Sequence, residues 1–344
     1  MDLQRLFRPL LATATLSLTC GCSEPAARTA TPDAASPTGQ PGAANLASVL
    51  GMVPKSVLWV GAHPDDEGYV APLLLDACNL QGAACTFLVV TDGGKGNCKL
   101  GPGACGTADN GGAPPGSVGA FRVAEMQSVA ASYRGTLLEL ALEDTASATV
   151  VGDAQNWNQT YSRVPNDTSV ALIQQKFADV LTTVKPDIVL TFDPRHGVYC
   201  HPDHRAVGAL TLSAAQQVAF DYKRIFLIES TEIYLSQDRV VHERAWVPGD
   251  PLLRTYDAAS AGTWHARVDD YLVHKSQYLP SDLVGYSLVA PADQTVSLLQ
   301  LSTLVVGGMV PPNPAYDAIC ASENASWDGH GVCPKGNDTT GPCF

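Results

Sequence analysis

The sequence predicts an α/β fold, a Rossmann-like, mostly parallel sheet with helices on both faces. Three observations predict it. Short apolar runs of strand length recur without the alternation of a half-exposed strand. Segments of helical period fall between them, and Gly, Pro and Asn gather at the joints. The 344 residues are 45% hydrophobic and 16% charged, the balance of a folded chain with a core.

Each element has its own signature. Residues 56–63 (SVLWVGAH) are apolar on both faces, as a buried parallel strand requires, and Pro64 ends them. Residues 68–80 read as a helix and 85–91 (CTFLVVT) as a second buried strand. A loop rich in Gly, Pro and Asn follows over 92–115. Residues 118–134 read as a helix with Phe121, Ala124, Val129 and Ala130 apolar, and 137–142 as a third strand. Residues 168–184 form an amphipathic helix carrying Val170, Ile173, Phe177, Val180 and Leu181, with Pro186 just beyond its end. Strand 188–192, helix 203–219 and strand 224–229 complete the alternation. Ligands of such sheets sit outside the carboxyl ends of the strands, so chemistry is expected just after Val60, Val90 and Phe192.

Around this domain, expected over residues 46–310, the composition changes. Arg5 and Arg8 precede a short apolar run over 10–18 and then Cys20-Gly21-Cys22, so residues 1–22 read as an export signal. Two outcomes stay open, a lipid anchor at Cys22 or an ordinary cleaved signal, and both place the protein outside the cytoplasm. Residues 23–45, rich in Ala, Pro, Thr, Ser and Gly, are expected as a disordered linker. Residues 311–344 read as a Cys-containing appendage. Apart from Cys20 and Cys22, eight Cys remain, an even number suited to pairing in an oxidising compartment. Cys78/Cys85 and Cys98/Cys105 are plausible local staples. Lys and Arg number 21 against 34 Asp and Glu, a net charge of −13, so nucleic acid is excluded as a partner. No run after the first residues is long and apolar enough for a membrane span, which leaves the lipid as the one expected membrane contact.

Two motifs carry the chemistry. His63-Pro64-Asp65-Asp66-Glu67 ends the first strand, and His201-Pro202-Asp203-His204 follows strand 188–192. Each begins where a helix should start, and Pro is well placed in a first helical turn. Residues three apart on such a turn share a side, so His63 with Asp66, and His201 with His204, can each face one ion. Two His and a carboxylate around an open position make a catalytic zinc set, and Asp65 stands beside a ligand without sharing its face. One such motif is ordinarily a capped helix start; two copies at two strand ends are not explained by packing.

Val60-Gly61-Ala62-His63-Pro64-Asp65-Asp66-Glu67 resembles the signature of the PIG-L / LmbE-like N-acetylglucosaminyl deacetylases. His201 to His204 with Arg205-Ala206-Val207-Gly208 resembles their second motif, Arg122-Val123-Ala124-Glu125 their Arg-x-x-Glu, and Leu272 to Gln277 their later His-x-Ser-Gln helix. The resemblance implies His63, Asp66 and His204 as ligands of Zn2+ or another divalent transition metal, with Asp65 as general base. It further implies His201 as a protonated imidazole acting as general acid or oxyanion stabiliser, Asp203 as its orienting partner, Tyr199 as an aid in polarising the carbonyl, and Arg122 as a substrate-binding residue. The implied reaction is removal of acetyl from an N-acetylated sugar or glycan. A metal-dependent amidase or esterase for another secreted metabolite, or a glycan-binding lipoprotein without turnover, are the alternatives. Cys200, directly before His201, is either a disulfide partner or a further ligand. Lys95 and the Cys98–Cys105 segment depart from the family pattern and put the substrate, not the reaction, in question.

Overall fold

A computed structural model describes residues 41–96, 98–101, 104–105, 118–144, 150–163, 169–194, 197, 201–229, 253–281, 283 and 295–300. The export signal, most of the linker, Tyr199, Cys200 and the appendage at 311–344 lie outside them.

Five strands run parallel: β1 (Ser56–Gly61), β2 (Ala84–Thr91), β3 (Thr136–Leu142), β4 (Ile188–Phe192) and β5 (Ile225–Glu229). Two more, β6 (Leu253–Asp257) and β7 (Thr295–Gln300), extend the sheet antiparallel beyond β5. The order is β3-β2-β1-β4-β5-β7-β6. The chain leaves β1 toward β2 on one side and later returns to β4 on the other. That reversal between β1 and β4 is the switch point at which a doubly wound sheet opens a crevice.

Strand alternation divides the core. Val57 and Trp59 of β1 point into a cluster with α1 (Pro41–Leu50), α2 (Ala71–Leu74) and α3 (Val118–Ser132). Leu58 and Val60 point the other way, to α4 (Val150–Ser162), α5 (Ala171–Val184) and α6 (Pro202–Gln217). Helices therefore cover both faces, as expected. Two shorter helices, α7 (Ala258–Ala261) and α8 (Ala266–Val273), follow β6.

The structure departs from the expected boundaries in three places. Residues 41–45, expected as linker, begin α1; Leu46, Val49 and Leu50 share one face of it, are buried, and anchor the helix to the core. The Ala-rich composition concealed this i, i+3, i+4 stripe. The helix expected over 68–80 is a composite: a 3₁₀ turn (Asp66–Tyr69), α2 with Pro72 in its first turn, and a π turn (Leu75–Leu80). Disulfides join Cys78 to Cys85 across the turn into β2, and Cys98 to Cys105. Finally, α8 stops at Val273, so His274 to Gln277 form a turn where a helix was expected.

Candidate metal centre and active site

The turn after β1 is built around one carboxylate. Asp66 Oδ2 accepts from the backbone N–H groups of Ala62 and His63, both at 2.8 Å, which fixes its rotamer. Its Oδ1 faces His204 Nε2 at 3.1 Å. His204 projects from the first turn of α6, where Nδ1 bonds the Gly197 carbonyl at 2.8 Å and leaves Nε2 as the free lone pair. Phe192 stacks on one face of that imidazole at 4.0 Å between centroids, and His201 on the other at 4.6 Å. His63 Nδ1 lies 3.3 Å from His204 Nε2 and 3.6 Å from Asp66 Oδ2.

Ligand bonds of about 2.0–2.1 Å in a tetrahedron put donors about 3.3–3.4 Å apart. The His63–His204 separation of 3.3 Å matches that edge, and Asp66 presents Oδ1 to His204 at 3.1 Å and Oδ2 to His63 at 3.6 Å. His63, His201 and His204, and His63, Asp144 and Asp203, also bring their donor atoms within 4.8 Å of one another, so the cluster fits a small divalent transition metal. The expected ligands His63, Asp66 and His204 come together from two strand ends, with His63 and His204 141 residues apart in sequence.

Further carboxylates surround the pair. His63 Nε2 bonds Asp203 Oδ2 at 3.1 Å and lies 3.6 Å from Asp144 Oδ1. A carboxylate behind a ligating imidazole fixes its orientation and raises its basicity. Asp203 was expected to orient His201; its backbone N–H donates to His201 Nδ1 at 3.1 Å, and its carboxylate bonds His63. Burial pulls the His63 pKa down, but Asp66, Asp144 and Asp203 outweigh it and hold the ring well above the usual histidine range. Burial pushes Asp66 up, and the charges of His204 and His63 more than reverse this, holding it well below the ordinary carboxylate range. A cation belongs between these groups, a proton or a metal.

His201 differs from its expected protonation. Its Nδ1 caps α6 by accepting from Asp203 N at 3.1 Å, so the ring proton resides on Nε2. Burial, then His204 and His63, push its pKa well below the usual histidine value. An accepting Nδ1 and a lowered pKa both favour the neutral ring, with Nε2–H left to donate.

Asp65 has φ of +125°, unusual for a residue with a side chain. Its Oδ1 accepts from Arg122 Nη2 at 2.8 Å, and the side chain stays 14% exposed. Burial raises its pKa, with Arg122 opposing. Arg122, expected to bind substrate, is buried. Its guanidinium donates to Asp65, the Pro64 carbonyl and the Gly93 carbonyl, each at 2.8 Å. The guanidinium thus holds the turn, and the close approach at Gly93, with φ of +64°, leaves no room for a side chain there.

Sequence reasoning assigned no role to Asp144, Glu67 or His274. Asp144 lies two residues past β3, a strand end of the same kind as the three singled out. It also borders a cavity of about 320 Å³ lined by Lys95, Glu143, Asn156, Trp157, Gln159 and Thr160. Glu67 and His274 are fully buried against each other at 2.7 Å.

Fold and site together define a doubly wound α/β domain with a His/Asp centre at its switch point. Residues 58–215 match the family model described as PIG-L, GlcNAc-PI de-N-acetylase. It is 27% identical over 166 residues to a 1D-myo-inositol 2-acetamido-2-deoxy-alpha-D-glucopyranoside deacetylase of Acidothermus cellulolyticus, covering 47% of this chain and 54% of that protein. A protein of the same name from Rhodococcus erythropolis is 28% identical over 169 residues, covering 48% and 54%. The chain thus spans about half the length of the curated relatives it matches. It is also similar to the solved N,N'-diacetylchitobiose deacetylase of Pyrococcus horikoshii, at 16% identity and a TM-score of 0.42, covering 68% of this chain and 74% of that one.

Proposed function

We propose that the protein is a metal-dependent hydrolase that removes acetyl from an N-acetylated amino sugar. The observation that carries this reading is the convergence of His63, Asp66 and His204 donors at 3.1–3.6 Å beside the partly exposed carboxylate of Asp65. The curated relatives, named as deacetylases of an acetamido sugar, support it.

His63, Asp66 and His204 would hold the ion, which supplies Lewis acidity and lowers the pKa of a water toward about 7. Asp65 takes a proton from the water that attacks the acetamide carbonyl. His201 donates its Nε2–H to the carbonyl oxygen as negative charge develops there, a role open to a neutral imidazole. Because His201 lacks a second proton to give, Asp65 returns the proton to the leaving nitrogen, and acetate and a free amine result. The cavity lined by Asn156, Gln159 and Thr160 offers amide and hydroxyl partners to a sugar. Incubation of the zinc-loaded protein with a panel of N-acetylated sugars should release acetate and primary amine in equal amounts. Absence of both across the panel refutes the reading.

The reading includes export, with a lipid at Cys22 as its anchored form; the disulfides within the fold support an oxidising location. Mass spectrometry of the natively expressed protein should find Cys22 acylated or a cleaved amino terminus; an intact chain beginning at Met1 refutes export.

A further inference from the structure

We propose that Glu67 and His274 form a buried strut that positions Asp65, which makes both of them positioning residues for proton transfer. The inference rests on the reading of Asp65 as the base.

Asp65 sits at φ +125°, a conformation that an L-residue keeps only where its surroundings over-determine it. Its backbone N–H donates to Glu67 Oε2 at 3.2 Å. The other oxygen of that carboxylate, Oε1, bonds His274 Nε2 at 2.7 Å. Glu67 and His274 are both 0% exposed, so neither meets substrate. A buried ionisable pair can often be replaced by apolar residues without loss of stability, so packing alone gives no reason for this one.

The strut is braced at its far end. Helix α8, which leads into His274, clasps the turn that follows Asp65. Arg267 donates to the carbonyls of Gly68 at 2.9 Å and Tyr69 at 3.2 Å, and a methyl on Gly68 would run into the Tyr271 ring. Two residues beyond His274, Ser276 donates from N and Oγ to the Glu125 carboxylate at 3.0 and 2.6 Å. Glu125 lies on α3 one turn after Arg122, whose guanidinium grips the Asp65 carboxylate. Asp65 is therefore held by its backbone through Glu67–His274 and by its side chain through Arg122. The Ser276–Glu125 link joins the two supports into a closed loop.

The test is a double-mutant cycle on the zinc-loaded full chain, with the most active sugar of the acetate-release panel. His274→Gln should lower kcat by about 10- to 100-fold, the scale of a reacting group displaced by about an ångström, with KM and zinc stoichiometry unchanged. In the Asp65→Asn background the same substitution should change the residual kcat by less than about twofold, since the group it positions is gone. Equal losses in both backgrounds, a loss of zinc, or no loss in the single variant would overturn the strut. Full kcat in Asp65→Asn alone would instead refute Asp65 as base, so the two failures are distinguishable. Should His274→Gln not fold, Glu67→Gln and Glu67→Ala serve in the same cycle. The Gln variant keeps an acceptor for Asp65 N and should retain more kcat than the Ala variant; equal activities would overturn the proposal.

Discussion

Replacing Arg122 with Met tests whether the guanidinium is the keystone of the first turn. Met matches the length of the Arg stem and donates nothing. The Asp65 carboxylate and the carbonyls of Pro64 and Gly93 each lose a donor at 2.8 Å. Breaking a buried charge pair by removing one partner costs about 3–5 kcal/mol. The Asp65 side chain is 14% exposed, so water relieves part of the loss and the lower figure, about 3 kcal/mol, is expected. At about 2–4 °C per kcal/mol in a domain of this size, the melting temperature should fall by about 6–12 °C. Activity should respond with a defined sign. Burial already raises the Asp65 pKa and Arg122 opposes it, so removing Arg122 raises it further. The base is then ionised only at higher pH, and the acid limb of kcat/KM should shift upward. Urea melts at constant m-value and a pH–rate profile measure both. A loss under about 1 kcal/mol with an unmoved acid limb would refute the assignment of Arg122 to Asp65.

Three further outcomes are expected. His204→Ala removes the donor with the shortest separation from Asp66 and should bind zinc at least tenfold more weakly by calorimetry; unchanged affinity would show that the ion is held elsewhere. In metal-free protein the raised His63 pKa makes a stability contribution that is full below about 6.5 and lost as pH rises through the folded value. His201, whose pKa is lowered, ceases to titrate in either state above about pH 7.5, so above that pH the apo melting temperature should fall as the folded His63 value is passed, while zinc affinity rises. Reducing the eight-residue Cys78–Cys85 loop, by the chain-entropy estimate, should cost about 2.5 kcal/mol in a denaturant melt of a Cys78→Ala/Cys85→Ala variant; a midpoint within error of the parent would argue against the bond.

What the sequence disclosed follows the range of the forces involved. Strand β4 was legible residue for residue, because a run buried on both faces is nearly all apolar, its one polar side chain, Thr191, being satisfied by the Val60 carbonyl. The turn that holds His63 and Asp66 was legible because Asp66 reaches back to the N–H groups of Ala62 and His63, a bond set within one turn that a short motif can encode. Helix α4 escaped notice: with Asp153, Asn156, Asn158, Gln159 and Thr160 among its residues it shows little apolar period. Strands β6 and β7 escaped as well, because their pairing with each other and with β5 is a tertiary fact.

The long-range partners share one physical reason for staying hidden. The resemblance implies that Asp203 orients His201 and that Arg122 binds substrate; the structure adds bonds from Asp203 to His63 and from Arg122 to Asp65, 140 and 57 residues away, which local spacing does not register. A doubly wound sheet brings strand ends together at its switch point, so ligands arrive with the topology. The groups that orient those ligands come from elements that cross above the sheet. Asp144 stands past β3 at one side of the sheet, and His274 follows α8, which packs on α2 and α3. The turn after β1 is thus specified twice, locally by Asp66 and remotely by Arg122 and the Glu67–His274 pair. The remote set is the one that bears on Asp65. Substitutions far from the reacting atoms should therefore change turnover before they change metal content.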